Sequence, residues 1–330
     1  MAVNINLDPI LRVVVISSLT QSKNNCHIAK NIVKAFNTFE GLVEAVSMDW
    51  QAFLANMHAG RFHLMLYVGS VYTDTVPVHM ISTQAKRRGL PAIYWATDDP
   101  YEFDMRFKAS NFDFYFSNDD VVAKNYHERG NVHSLPMGAH SSDYRPVRDG
   151  GARYGFSFCG FPYSNRQLVI DDLCRCCPEL MEGLALFGGG WNQSNKIVAE
   201  DIGYESLLDV YNNSSFVLNI GRTYSLANEH RKFVATAPGP RTFECGLAGG
   251  AQVYFGDARK FFKDGYEIVQ VESIQEFMEK VAWYKSNLAS LRKLARYAQR
   301  RVFSEHLYEH RILQMFEILN EKNVVKAPTS

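Results

Sequence analysis

The chain has 330 residues, of which 46% are hydrophobic and 21% charged, enough to bury a sizeable core but long enough that two domains are expected rather than one. Thirty-five basic residues balance thirty-five acidic ones, so no global field draws the protein to nucleic acid or to an anionic lipid surface. The opening residues MAVNINLDPILRVVVISS carry no basic leader before a long apolar run, and no segment approaches about 18 uninterrupted apolar residues, which argues against secretion and membrane spanning. Six cysteines in a chain of this kind read as reduced thiols of a cytoplasmic protein. Cys174, Cys176 and Cys177 sit on an expected helix without a second Cys or His pair, so no metal site is expected there.

The first half alternates strand and helix. The β-branched run from Arg12 to Ser18 has the length of a buried strand, and a helical spacing follows through Ile28, Ile32, Val33 and Phe36. Further strands are expected at Leu42–Asp49, Phe62–Gly69, Pro91–Asp99 and Phe112–Asp119, with helices near 77–88 and 119–128. Such alternation implies an α/β fold with a parallel sheet covered on both faces. Ligands of these sheets bind at the carboxyl ends of strands, which points to Ser17-Ser18, Gly69-Ser70 and Asp98-Asp99. No G-x-G-x-x-G follows the first strand, which argues against a dinucleotide-binding dehydrogenase.

From Asn131 to Gly151 the periodicity is lost and Pro, Gly, Ser and charge accumulate, as in a linker. The domain boundary is expected at 147. The alternation then restarts with a strand at Tyr154–Phe161, a helix near 164–177, a strand at Leu184–Phe187 ending in Gly188-Gly189-Gly190-Trp191, a helix near 205–214 and a strand at Ser215–Arg222. Three one-sided helical patterns close the chain: Ile274 to Val281, Leu288 to Ala298, and Tyr308 to Leu319.

Between them lies the segment APGPRTFECGLAGGAQVYFGD, Ala237 to Asp257. Pro240 suits a first helical position, so a helix is expected to start there with Arg241 and Glu244 three apart on its opening turn. Free N–H groups and the positive dipole end attract a phosphate, and an arginine beside them adds forked donors. A carboxylate one turn in can accept both hydroxyls of a ribose. Gly246, Ala248, Gly249 and Gly250 keep the helix slim and stop it. By physics alone the same segment is equally a well-started and well-stopped helix.

The stretch Arg241 to Gly250, followed by a strand and FFKDGYEIVQVES, resembles the donor-nucleotide segment of GT-B glycosyltransferases, most closely the spore-coat CgeB-like branch. The resemblance extends to Tyr94–Pro100, Phe112-Asp113 with Ser117–Asp119, Leu135–Gly138 with Tyr144–Pro146, Phe158–Phe161, Gly190-Trp191 and the tail His306–Arg311. It implies two Rossmann-like domains: an acceptor-side domain at 1–147, a nucleotide-sugar-binding domain at 148–304, and a C-terminal helix at 305–330 that crosses back to the first domain. It also implies a hexosyl- or pentosyltransferase that takes a nucleotide-diphosphate sugar as co-substrate. The donor-side candidates are Gly160, Gly190, Trp191, Gly221, Arg222, Arg231, Lys232, Arg241, Thr242 and Glu244. Retaining relatives carry a glutamate eight positions before the cradle glutamate, whereas here Thr236 stands there, which leaves the stereochemistry open.

Inverting transfer needs a general base for the acceptor hydroxyl and charge neutralisation for the leaving diphosphate. Asp98 and Asp99, at the tip of a strand, are candidates for the base, although an aspartate before Pro100 is also a good helix cap. His140 is a rival with a pKa suited to the task. Arg241 is the candidate for the leaving group, and with arginines and a helix end in that role neither a metal nor another cofactor is expected. Three alternatives remain open: a DNA glycosyltransferase acting on hydroxymethylated pyrimidines, a nucleotide-sugar epimerase, and a non-catalytic binding protein. Lys86-Arg87-Arg88 and the stripe Arg292, Lys293, Arg296, Arg300 and Arg301 are the residues that would track DNA phosphates.

Overall fold

A computed structural model of the chain describes residues 10–17, 25–55, 62–69, 76–101, 110–223 and 232–324. The chain divides into two compact units: Met1–Pro136 with Ser225–Phe233 and Tyr308–Ser330, and Met137–Tyr224 with Val234–Leu307.

Unit 1 holds strands β1 (Leu11–Ser17), β2 (Val43–Met48), β3 (Leu64–Gly69), β4 (Ala92–Ala96), β5 (Phe114–Ser117) and β6 (Val132–Ser134). They form one parallel sheet in the order β2-β1-β3-β4-β5-β6. The interior strands β3 and β4 are buried along their whole length, as expected of a sheet covered on both faces, whereas the edge strand β2 mixes buried and exposed positions. Helices α1 (Cys26–Phe36), α2 (Trp50–Ala55), α3 (Val78–Arg87), α4 (Asp120–Tyr126) and α10 (Tyr308–Glu321) belong to this unit. Its core stacks Tyr67, Tyr94, Phe112 and Tyr115 at ring-centroid distances of 5.0 to 6.0 Å. Helix α10 is held there by Phe316 against Phe36, by Tyr308 edge-on to Trp95, and by Arg311 Nε donating to the Pro136 carbonyl at 2.9 Å.

Unit 2 holds β7 (Tyr154–Cys159), β8 (Leu184–Phe187), β9 (Ile197–Ala199), β10 (Ser214–Ile220), β11 (Gln252–Phe255) and β12 (Val269–Val271), again all parallel, in the order β12-β11-β10-β7-β8-β9. Its helices are α5 (Ser164–Cys176), α6 (Tyr204–Asn212), α7 (Pro240–Leu247), α8 (Ile274–Ser286) and α9 (Leu288–Glu305). In sequence order the sheet starts at β7, runs outward through β8 and β9, then returns to the other side of β7 for β10, β11 and β12. The strand order therefore reverses between β7 and β10, and the crevice beyond the carboxyl ends of those two strands is where such sheets bind ligands.

The segment 131–151, read as a linker, contains β6, which closes the first sheet, and a 3₁₀ turn at Ser141–Asp143. The division between the units falls after Pro136, against an expected boundary of 147. Residues from 137 onward are tied to unit 2 by Ala139 N–H donating to the His306 carbonyl, Tyr204 OH donating to Asp143, and the Arg145–Glu205 ion pair. The sequence reading also lacks α2, β9 and β12. Three-residue strands show no alternation to detect, and α2 is a single turn and a half whose start rests on Asp49 Oδ1 accepting the N–H groups of Gln51 and Ala52.

Candidate functional site

The site is built where β7 and β10 end. Gly160 follows β7 with φ of +148°, in the region that L side chains rarely adopt. A Cβ there would sit 2.8 Å from Arg241 Nη2 and 3.4 Å from Arg166 Nη1, so glycine is what lets two guanidiniums lie against the backbone. The loop is braced from behind. Gly160 N–H donates to the Phe187 carbonyl, and Trp191 Nε1 donates to the Gly160 carbonyl at 3.2 Å while its ring meets Phe158 edge-on. Trp191 is buried, so it supports the loop by packing, and Gly190 beside it, with φ of +85°, turns the chain into that position.

Helix α7 begins as the sequence pattern predicts, with Gly239 as cap and Pro240 at the first helical position. Gly246 in its last turn lets α9 approach, since a Cβ there would meet Val302 Cγ2 at 3.0 Å. Thr242 is buried and its hydroxyl accepts from Asn219 Nδ2 at 2.7 Å; Gln252 Nε2 donates to the Thr242 carbonyl, and Asn219 also donates to Gln252. This network locks the start of α7 to β10 and β11, which makes Thr242 a positioning residue. Glu244 is buried at 3% exposure. Arg241 is half-buried with its guanidinium 5.3 Å from the centre of the Phe158 ring, and it has no hydrogen bond or ion pair among the described residues.

Two further arginines join it. Arg222, following Gly221 at the tip of β10, lies over the Tyr163 ring and donates to its hydroxyl. Arg166, in the first turn of α5, lies over Phe158 and Tyr163 and donates to the carbonyls of Ile220 and Phe161. Asn165 beside it donates to the Gly221 carbonyl at 2.7 Å. Arg166, Asn219 and Gln252 were missed by sequence reasoning. Arg166 carried a usable signal, because it repeats the pattern of Arg241: a glycine-containing loop after a strand, then an arginine in the first helical turn. Asn219 and Gln252 had none, lying inside apolar strands.

Behind the arginines, burial pushes the Cys159 thiol up to about 12, with the Arg241 charge pulling against it, and raises the Cys245 thiol and the Tyr211 phenol as well. These groups are uncharged interior.

The remaining candidates lie elsewhere. Arg231 falls outside the described residues, and Lys232, exposed with φ of 50°, belongs to unit 1. Asp98 and Asp99 follow β4 in unit 1. Asp99 is 1% exposed, and its Oδ2 accepts the hydroxyls of Tyr115 at 2.6 Å and Ser117 at 2.8 Å, while Asn118 pairs with its backbone. Asp98 is half-buried, its Oδ2 accepting from Thr97 Oγ1. The helix expected after Pro100 falls mostly outside the described residues. His140 belongs to unit 2, where it caps the turn Ser141–Asp143. Its Nδ1 accepts the Ser142 N–H and faces the Ser142 hydroxyl, which puts the proton of the neutral ring on Nε2. Among the described residues no group of three or more His, Cys, Asp or Glu side chains is placed to hold a metal ion, and no helix is long and apolar enough to cross a membrane.

Residues 166–317 match the glycosyl transferase-like family. No curated protein sequence matches the chain. Among solved structures, an alpha-glucosyltransferase in complex with UDP is similar with a TM-score of 0.66 at 9% identity, covering 94% of this chain and 100% of its own. Anabaena HepE in complex with UDP-glucose is similar with 0.59 at 14% identity, covering 94% and 100%. A UDP-N-acetylglucosamine 2-epimerase, so named provisionally, from Listeria monocytogenes is similar with 0.60 at 10% identity, covering 97% and 99%. With the two six-stranded parallel sheets, these likenesses show the GT-B fold.

Proposed function

We propose that the protein transfers a sugar from a nucleotide-diphosphate sugar to an acceptor hydroxyl. The observation that carries the reading is Arg241: a guanidinium at a helix start, packed against a glycine where any side chain would displace it, at the point where the strand order reverses. Glycosyl transfer develops negative charge on the diphosphate as the anomeric bond breaks. Arg241, with Arg166 and Arg222 around the same aromatic pair, meets that charge in the transition state, where forked donors count most. The match of residues 166–317 to the glycosyl transferase-like family and the UDP-bound structures among the fold relatives support a nucleotide-sugar donor. Within that fold we assign the chain to the CgeB-like branch, on the resemblance of the segment from Arg241 to Gly250.

Glu244, one turn into α7, is assigned the ribose hydroxyls. Of the two aspartates Asp98 is the better base, because Asp99 is spent on Tyr115 and Ser117. His140 uses Nδ1 for its cap and carries its proton on Nε2, so neither nitrogen of that tautomer is left to take a proton. Three arginines supply the charge that a divalent cation would otherwise bring, so turnover is expected to persist in chelator.

The epimerase reading is kept open by the Listeria relative. A screen of UDP-, GDP- and TDP-sugars by nucleoside diphosphate release, with and without glycan, protein and hydroxymethylated DNA acceptors, separates the readings. Release that depends on an acceptor supports transfer, and turnover of the sugar nucleotide alone supports the epimerase. Binding of no sugar nucleotide would overturn both.

A further inference from the structure

We propose that the solvent face of α9 is a docking surface for single-stranded nucleic acid. This helix carries Arg292, Lys293, Arg296, Arg300 and Arg301 against one acid, Glu305, in a chain whose total charge is zero. Its inner face is fully committed: Leu291, Leu294, Ala295, Ala298, Gln299 and Val302 are buried in unit 2. At 100° per residue the positions 292, 293, 296, 297, 300 and 303 fall within one arc of about 140° on the opposite side. Three cations lead that arc, and toward its C-terminal end Tyr297, at 42% exposure, and Phe303, at 53%, flank the fourth, Arg300.

The cations on this face are available. Arg292, Lys293 and Arg300 make no ion pair among the described residues. Arg296 pairs only with Asp149, a bond between two well-exposed side chains that is weak in water and easily exchanged for a phosphate. Arg301, which turns toward Glu267 and Glu305, is the exception and is left out of the surface. From 292 to 303 the face runs about 16 Å, long enough to meet several consecutive phosphates. Positive charge that tracks a backbone, with aromatic rings between to stack successive bases, is the arrangement that holds single strands without reading their sequence.

An anionic bilayer would be attracted by the same cations. It is disfavoured because the helix cannot roll: its apolar side is locked in the core, and two rings bury too little area to hold a membrane. The inference is independent of the donor reading, since the face lies on the side of α9 away from α7.

The test uses the full chain and a fluorescein-labelled oligothymidylate of about 20 nucleotides, read by anisotropy from about 50 to 300 mM salt. Binding is expected to fall with salt at a slope of about −0.7 per phosphate neutralised. Lys293→Gln with Arg300→Gln should lessen that slope by about 1.4. Tyr297→Ala with Phe303→Ala should weaken binding about tenfold or more at unchanged slope. Melting temperature and sugar-nucleotide turnover should be unchanged in both variants. No binding at about 50 mM salt, or binding indifferent to both variants, overturns the proposal. So does binding to phosphatidylserine vesicles that needs the same residues while the oligonucleotide is ignored.

Discussion

The carboxyl ends of the two sheets are furnished in opposite ways. In unit 2, β7 and β10 end in glycines, and the side chains gathered there are cations: Arg166, Arg222 and Arg241, with aromatic rings beneath them. In unit 1, β4 is followed by two carboxylates, one folded into a hydroxyl network and one half-buried. A cationic crevice at a strand-order reversal suits an anionic ligand such as a diphosphate. A half-buried carboxylate suits a group that gives up a proton. The contrast assigns different work to two units of similar topology, and it can be broken at either end.

The largest effect is expected at Arg241. On the proposed reading Arg241→Ala removes a donor to the leaving group, and loss of one such group in other enzymes costs on the order of 10² to 10³ in turnover. Arg241→Lys keeps the charge but not the fork, so turnover should fall more than donor affinity does. Steady-state kinetics with the best sugar nucleotide measures both, and melting temperature should stay near that of the parent, because Arg241 makes no hydrogen bond among the described residues. Turnover unchanged in both variants would return α7 to the status of an ordinary helix.

The carboxylate end is tested by treating the two aspartates separately. Asp98→Asn should lower turnover by about 10² or more with little change in stability, as expected for a general base. Asp99→Ala should act the other way round. It leaves the buried hydroxyls of Tyr115 and Ser117 without their acceptor, at about 1 to 3 kcal/mol each, and lowers the melting temperature. If Asp98→Asn retains full turnover, unit 1's carboxylate end is not the acceptor base and the contrast between the sheets is structural only.

A smaller effect is expected at Glu244. Glu244→Gln keeps the size of the side chain and loses the charge that, on the proposed reading, strengthens two ribose hydroxyl contacts, worth about 1.5 to 3 kcal/mol if both are charge-assisted. Donor affinity should fall about tenfold or more. Titration of the nucleoside diphosphate by calorimetry reads this directly, and a 2′-deoxynucleotide should lose less affinity in the variant than in the parent. Equal losses would take the ribose away from Glu244.

How much of this was legible depends on how local the determinants are. The alternating strands and helices and the start of α7 with Arg241 on its opening turn follow from short-range rules: apolar runs and Pro at the first helical position. Gly160 enters only through the family resemblance, since the apolar run Tyr154–Phe161 reads straight through it. What the sequence does not display is which distant segments converge. Arg166 and Arg241 lie far apart along the chain and meet only because β7 and β10 are neighbours while α5 and α7 both start at that end. The same holds for burial. Asp98 and Asp99 look interchangeable in sequence, and only the register of β4 on β5 puts Tyr115 and Ser117 under one of them. Residues 137–146 read as a linker because their stabilising contacts, with His306, Tyr204 and Glu205, come from far along the chain.

The finest probe of the cationic crevice is the glycine that makes room for it. Gly160→Ala introduces a Cβ 2.8 Å from Arg241 Nη2, at a φ of +148°. The backbone cost is of order 1 to 3 kcal/mol for a side chain in so sparsely populated a region, visible as a lower melting temperature. The steric conflict is different in kind: the nearest atom is the far end of a flexible arginine, which can swing away. Arg241 should therefore be displaced and not expelled, so donor affinity falls a few-fold where Arg241→Ala loses far more turnover. Combining the two substitutions separates the causes. If Gly160 acts by making space for the guanidinium, the loss of affinity from Gly160→Ala should disappear in an Arg241→Ala background while the loss of stability remains. If the affinity loss persists there, the glycine serves the ligand directly, by letting a phosphate reach the backbone.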